Sequence, residues 1–449
     1  MKLSRADLGL ARPKANMVHL GVGAFFRAHQ AWYTAVAEPH GDWGFAAFTG
    51  RSGEIAKQLS EQDDLYTLIT RAAEGDSFEV VNSLASVSSG TDLNALVAAV
   101  ANPETAVVTL TITEAGYAVD ANGNLLDAHE LLAGLRAGLP NTALARLAWA
   151  LEQRRTANGQ PIALVPCDNM PSNGKVLESA MKQLFAAFEP ESLVWLEREV
   201  SFVSTSIDRI TPKTTESDNE TVLAETGLAD ASPVVTEPFR DWVLEGEFPL
   251  GRPSWEKAGA RFVDDIEPFE NRKLWLLNGS HSLLAYLGLQ RGHETVAEAM
   301  ADEFCRRRVD EFWDEAERNL PAAGLDIASY RQALVSRFEN QRIAHRLEQI
   351  AIDGSTKVRV RALPVFKAEV AAGRKGHGAL MTVAAWVSFA ISRVDIQDSR
   401  SAQVRDALAE AGQVRMDAIR GLVSIIDSDL AASEELLRIV DQLTDQIHN

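Results

Sequence analysis

The sequence predicts an α/β protein. Residues 1–265 carry a mostly parallel, doubly wound sheet, and a largely α-helical region fills 266–449. Three observations predict it. Short apolar runs alternate with helical stretches in the first part. The first run passes through glycines into a helix, the opening of a βαβ unit. Beyond residue 265 the apolar positions recur mainly at helical spacing.

The elements follow in order. "MVHLGVG" reads as a short buried strand ending in Gly21 and Gly23. "AFFRAHQAWYTAVA" then reads as one helix, with Phe25, His29 and Tyr33 on a shared face. Further strands are predicted at "WGFAAFTG" (43–50), "FEVVNSLASV" (78–87), "TAVVTLTIT" (105–113) and "PIALVPCDN" (161–169). Helical segments such as "TDLNALVAAVAN" and "NTALARLAWALEQRRTANG" separate several of them. "TVAEAMADEFCRRRVDEFWDEAERNL", "SYRQALVSRFENQRIAHRLEQIAID" and "AASEELLRIVDQLTDQI" read as amphipathic or charged helices. The change of character near residue 265 marks a domain boundary, and small-molecule sites favour such boundaries.

Bulk properties exclude several classes. A hydrophobic content of 46% suffices for a large core. A net charge of −19 argues against a phosphate-backbone-binding surface and against an electrostatic membrane anchor. The two cysteines, Cys167 and Cys305, build neither a disulfide framework nor a Cys-rich zinc module. "MKLSRADLGL" lacks the apolar stretch of a secretory leader, and no run of about 18 apolar residues suggests a span. A cytoplasmic protein without nucleic-acid or membrane partners is expected.

Two stretches carry chemistry. In "GVGAFF", a strand–glycine–helix turn lets backbone approach a pyrophosphate at a helix start. Gly21, Gly23, Phe25 and Arg27 are the candidate cofactor contacts, although Phe26 stands where the fingerprint has its third glycine. After the second strand, Arg51 and Ser52 in "TGRSGE" occupy the place where a 2′-phosphate would sit, and Glu54 follows. NAD is expected and NADP stays open. The other stretch is "ENRKLWLLNGSHSLLAYLG", a core helix carrying Glu270, Lys273, Asn278 and His281. At 3.6 residues per turn they fall at roughly 60°, 0°, 140° and 80°, one polar arc. A lysine in an apolar wall loses hydration, which lowers its pKa toward that of a general base. An asparagine beside it donates to an alkoxide, and a histidine orients a hydroxyl. A solvent-facing arc on an interdomain helix is the alternative. Among dehydrogenase chemistries, none of the five tyrosines has a lysine four residues later, and two cysteines argue against a zinc centre.

Together "VHLGVGAFFRAHQAWYT", "TLTITEAGY", "PCDNMPSNG", "FVSTSIDRITP", "EPFRDWVLEGEF", "GRPSWEKAGA", "KLWLLNGSHSLLAYLG" and "DGSTK" resemble the polyol-specific long-chain dehydrogenases. This is the family of mannitol 2-dehydrogenase and fructuronate reductase (D-mannonate oxidoreductase). The likeness runs in order from about residue 17 to 365. Ile207 stands where the family usually has valine, and Phe26 where histidine is common. The resemblance implies a Rossmann-type N-terminal domain, a helical C-terminal domain and no catalytic metal. It implies Lys273 as general base, and Asn278 with Asn169 as alkoxide donors. It further implies His281 as substrate contact, Glu270 as proton relay, and Asp208 and Lys357 near the substrate. The expected substrate is a polyol or sugar acid, with D-mannitol and D-mannonate foremost. Arabinitol, sorbitol and mannitol 1-phosphate are alternatives, as is a regulatory cofactor-binding protein on the same fold. A carboxylate calls for an arginine fork; Arg240, Arg359 and Arg361 are candidates. The family implies a monomer or homodimer.

Overall fold

The computed structural model describes residues 1–50, 52–120, 123–393 and 395–448. The chain forms two compact units, Met1–Glu267 and Pro268–Asn449.

The first unit is built on a six-stranded, all-parallel sheet. Its strands are β1 (Ala15–Leu20), β2 (Gly44–Phe48), β3 (Leu84–Ser88), β4 (Val107–Leu110), β5 (Ile162–Pro166) and β6 (Val200–Phe202). Their spatial order is β3-β2-β1-β4-β5-β6. This is the doubly wound dinucleotide-binding order, whose direction reverses between β1 and β4. The central strands are buried on both faces, so they read as continuous apolar runs rather than alternating ones. Successive side chains still part to opposite faces. Met17, Phe45, Val107 and Val165 join a core with Tyr33, Trp242 and Trp255. Val18, Ala46, Val108 and Leu164 join another with Leu147, Leu177 and Met181.

Two expectations need correction here. The run 78–87 is two strands. Asp76–Val81 pairs with Tyr66–Arg71 in a small separate sheet, and β3 belongs to the main one. The polar pair Asn82–Ser83 makes the switch. The Ser83 hydroxyl donates to the Ala31 carbonyl at 2.7 Å, and Arg5 donates to the carbonyls of Asn82 and Leu84. The helix after the glycine turn is also broken, into Ala24–Ala28 and Gln30–Ala37. His29 interrupts it at φ −117° and ψ −94°, with Nε2 3.2 Å from the Asp241 carbonyl. The Phe25, His29 and Tyr33 rings nevertheless stay in contact in series, Phe25 stacked on His29 and Tyr33 tilted against it.

The second unit is helical. Ser280–Gln290 and His377–Ser392 form its interior and are buried along almost their whole length. The segment predicted as one helix near 295–320 is two, Val296–Ala301 and Glu303–Arg318. Asp302 ends one and caps the next, accepting from the amides of Phe304 and Cys305. The segment 329–353 is likewise divided, into Ile327–Phe338, a 3₁₀ turn at Gln341–Ile343 and Leu347–Ala351. Glu315 caps from a distance, its carboxylate accepting from Gly378 and Ala379 at the start of His377–Ser392. Among the described residues no helix is long and apolar enough to cross a membrane.

Candidate active site

In the first unit, a cavity of about 440 Å³ opens at the carboxyl ends of β1, β2 and β4, where the strand order reverses. Gly21 and Val22 form its floor, with Thr49, Gly90, Thr111, Ile112 and Thr113 among its walls. Gly21 has φ +105°, and a Cβ there would lie 2.1 Å from the Thr111 carbonyl oxygen. Only glycine fits. The amides of Gly21 and Val22 both donate to the Phe48 carbonyl, at 2.8 and 3.1 Å. Gly21 therefore contributes its missing side chain to the cavity, not its N–H.

Beneath the turn lies a polar chain. Thr111 Oγ1 donates to the Gly21 carbonyl at 2.8 Å, and His19 Nε2 lies 3.1 Å from the same hydroxyl. Since that hydroxyl proton is committed, Nε2 carries the ring proton and Nδ1 accepts from Thr109 Oγ1 at 2.8 Å. Burial pushes the His19 pKa down to about 3, so the ring is neutral. Phe26 stacks flat on it, ring centres 3.4 Å apart. The position where the fingerprint has a third glycine is thus filled by a core ring.

The other cofactor candidates are placed as follows. Gly23 starts the helix Ala24–Ala28, and Phe25 is half-buried against His29. Arg27 is buried, donating to the Ser232 carbonyl and hydroxyl at 2.6 and 2.9 Å and to the Gly23 carbonyl. Arg51 lies outside the described residues. Sequence reasoning missed Thr113 and Asp168. Thr113 has φ 67° and ψ 158°, a conformation foreign to side-chain-bearing residues. The Asp168 carboxylate fixes it, accepting from the amides of Ile112 and Thr113 and from the Tyr117 hydroxyl at 2.7 Å. The threonine run of "TLTITE" was visible; its contact with "CDN" was not. Asn169 follows Asp168 and is exposed. Its loop is tied down by Asn173, which donates to the carbonyls of Asp168 and Thr205. Asp208 is buried at the end of the strand Ser204–Asp208, opposite Asp241. Arg240 is exposed, lies over the Trp32 ring at 4.6 Å and donates to the Pro238 carbonyl.

In the second unit, the helix bearing Glu270, Lys273, Asn278 and His281 departs from the expected period. It runs α over Glu267–Arg272, π over Lys273–Gly279 and α again over Ser280–Gln290. The 3.6-residue angles therefore do not apply to Lys273 and Asn278. In an i→i+5 turn, residues five apart come to lie nearly over one another. Lys273 and Asn278 are five apart, so they share a side more closely than an α-helix would allow. Glu270, Lys273 and Asn278 are half-buried.

Main-chain carbonyls in the turn take side-chain donors. Leu276 O accepts from Trp313 Nε1 at 2.8 Å and from Ser280 Oγ at 2.6 Å. Asn278 O accepts from Arg361 Nη1 at 3.1 Å, and the same nitrogen reaches Ser282 Oγ at 3.1 Å. At Gly279 a Cβ would meet the Phe312 ring at 2.4 Å, so glycine admits the neighbouring helix.

His281, one turn further, is buried between Phe338 and His345, with ring centres 4.8 and 5.0 Å away. Among the described residues its Nε2 has no hydrogen-bond partner. Desolvation drives its pKa well below the usual histidine value, and repulsion from His345, Arg337, Arg361 and Lys357 pushes the same way. Lys357 donates to the Ile350 carbonyl at 3.0 Å, and burial with Arg361 nearby brings its pKa down to about 8. Arg359 points elsewhere, bracing the carbonyls of Ile425 and Ile426. Among the described residues no group of three or more His, Cys, Asp or Glu is placed to hold a metal ion.

Comparison with known proteins follows the same division. Family models described as the mannitol dehydrogenase Rossmann domain and the mannitol dehydrogenase C-terminal domain match residues 15–257 and 265–448. D-mannonate oxidoreductase of Escherichia coli (strain K12) is 32% identical over 468 residues, spanning 100% of this chain and 96% of that protein. Pseudomonas fluorescens mannitol 2-dehydrogenase, solved as a ternary complex with NAD and D-mannitol, is 32% identical with a TM-score of 0.80. That match covers 100% of this chain and 97% of the other. A D-sorbitol dehydrogenase solved in substrate-free form is 27% identical with a TM-score of 0.88, over 100% and 98% of the two chains.

Proposed function

Because the chain belongs to the mannitol dehydrogenase family of oxidoreductases, we propose that it is an NAD-dependent dehydrogenase. It interconverts a secondary alcohol of a polyol or hexonate with the corresponding ketone. Residues 1–265 bind the dinucleotide, and 266–449 supply the base and most of the substrate contacts. The cavity beside Gly21 lies at the strand-order reversal, where dinucleotides bind in such sheets, and the related mannitol 2-dehydrogenase was solved with NAD. Gly21, Gly23 and Phe25 would line its path, with Thr111 and Thr113 walling the cavity. NAD, when bound, supplies the hydride acceptor.

The observation that carries the catalytic reading is the π turn. Lys273 Nζ takes the hydroxyl proton, and Asn278, five residues on, donates its amide N–H to the oxygen as charge develops there. Asn169 is the second donor. His281, neutral at working pH and with Nε2 unpartnered, orients a neighbouring hydroxyl. Glu270 carries the proton away from Lys273. Lys357 and Asp208 contact the substrate. Proton transfer to a positioned base contributes about 10²–10⁴-fold, and a missing oxyanion donor costs about 2.7–4 kcal/mol of barrier.

The substrate class rests on charge. Among the cations acting on His281 is Lys357, proposed above to contact the substrate. A carboxylate pairs with such a cation, and a neutral polyol does not. A hexonate is therefore favoured over mannitol. Mannitol is the second reading, supported by the ligand of the related ternary complex.

The test follows the absorbance of reduced nicotinamide with NAD or NADP and mannitol, sorbitol, arabinitol, mannonate and altronate. Turnover is expected with NAD, highest on a hexonate. Lys273→Met should cut kcat by roughly 10²–10⁴-fold while NADH affinity stays the same. Near-normal kcat in Lys273→Met at every pH would remove the lysine from the base role.

A further inference from the structure

The π turn over Lys273–Gly279 raises the question of what maintains it. An isolated helix prefers the i→i+4 ladder, and π segments persist as single turns where surrounding groups hold them. Passing from one ladder to the other leaves main-chain carbonyls short of helical N–H donors. Two carbonyls here take donors from other helices, Leu276 from Trp313 and Asn278 from Arg361. The Arg361 contact is the costlier arrangement. Its guanidinium is largely withdrawn from water, and desolvation brings its pKa down to about 10. Among the described residues no carboxylate bonds it, and both its hydrogen bonds, from Nη1, run to this helix, at Asn278 O in the π turn and at Ser282 Oγ three residues past its end. A largely desolvated cation whose hydrogen bonds both end on one short stretch of helix braces the shape of that stretch.

We propose that Arg361 is a positioning residue. By bonding the Asn278 carbonyl it holds the π turn that brings Lys273 and Asn278 to one side of the helix. This rests on the catalytic roles proposed above for those two residues. Were the turn to relax to α geometry, Lys273 and Asn278 would swing to roughly 140° apart and would no longer meet one oxygen. Trp313 supports the same turn from the other flank.

The test pairs a crystal structure of Arg361→Met with steady-state kinetics of Arg361→Met, Arg361→Lys and Arg359→Met on the full-length enzyme with its cofactor. Methionine keeps much of the arginine stem and removes every donor. In Arg361→Met the turn is expected to relax to i→i+4 pairing, with kcat reduced about 10²-fold, the scale of a misplacement of about 1 Å. NADH affinity should be unchanged, and the basic limb of the kcat–pH profile should move. Arg361→Lys, which keeps a donor, should recover part of kcat. Arg359→Met removes a brace on the same helix that points away from the turn, so it should lower thermal stability and leave kcat alone.

A retained π turn with wild-type kcat in Arg361→Met would overturn the proposal. So would an equal kcat loss in Arg359→Met, which would make the effect one of general stability. If Arg361→Met does not fold, Arg361→Lys decides: wild-type kcat with an unshifted pH profile counts against the proposal, an intermediate kcat with a shifted profile supports it. Failure of the base assignment is separable. It shows as activity of Lys273→Met, whereas the conformation of the turn without Arg361 is read from the crystal alone.

Discussion

His19 shows how one buried side chain couples the cofactor turn to pH. It lies at the centre of β1 with no exposed surface, hydrogen-bonded to Thr109 and Thr111 and covered by Phe26. Its pKa is about 3 in the folded chain against an ordinary value of 6.5. Between those values the unfolded chain binds a proton that the folded chain refuses. Acid therefore favours unfolding: stability rises with pH through this window and is level above it. The slope is up to about 1.4 kcal/mol per pH unit for one such group. His281, whose pKa burial drives well below the usual histidine value, and His345, whose pKa burial brings down to about 4, act in the same direction. His19→Asn removes one titrating group and keeps a polar side chain near the threonines. Calorimetry between about pH 7 and pH 5 should show a shallower fall of Tm in His19→Asn than in wild type, with part of the slope remaining. Parallel slopes would mean that His19 protonates without unfolding the strand.

At the scale of elements, the sequence was legible where physics is local. β1, β2, β4 and β5 announce themselves because strands buried on both faces are mostly apolar. The glycine turn was readable because φ +105° at Gly21 admits no side chain. Three elements were not readable. The run 78–87 is uniformly strand-like, and only tertiary bonds to Ser83 and Asn82 divide it between two sheets. The break at His29 has no Gly or Pro to mark it. The π turn is hidden because a spacing of five between Lys273 and Asn278 suits α or π periodicity, and its supports, Trp313 and Arg361, lie far along the chain. The catalytic candidates were thus visible as residue types on one helix, while the geometry that brings two of them together was not. The glycine turn makes its own prediction. Gly21→Ala drives a Cβ into the Thr111 carbonyl, so both Tm and NADH affinity should fall, Kd rising at least about tenfold. Gly23 has an ordinary φ, and only the Gly21 carbonyl oxygen lies near a Cβ built on it, at 3.7 Å. Gly23→Ala should therefore keep its Tm and lose NADH affinity alone, as fluorescence titration would report. Unchanged affinity in Gly23→Ala would take the dinucleotide off that residue.

For the whole molecule, the two units divide the labour that the change in sequence character near residue 265 first suggested. The sheet unit, Met1–Glu267, contains the Gly21 cavity, and the helical unit, Pro268–Asn449, contains the π turn and His281. Ligand binding stabilises what it contacts by mass action: at a hundredfold excess over Kd the gain is about 2.7 kcal/mol. That gain appears as slower amide exchange wherever opening destroys the site. Hydrogen exchange on the intact chain should therefore map the cofactor. NADH at saturating concentration should slow exchange around Gly21–Phe25, Gly90 and Thr111–Tyr117, by up to about 10²-fold where the site must open. Arg415–Ile426 and Glu434–Ile447, helices at the far end of the sequence, should exchange as in the free protein. Adding a hexonate to the NADH complex should then slow the 273–281 segment, and adding mannitol should slow it less. Protection that begins in the helical unit with NADH alone would place the dinucleotide away from the β1 turn. Equal protection by mannitol and the hexonate would leave Lys357 without a substrate carboxylate to bind.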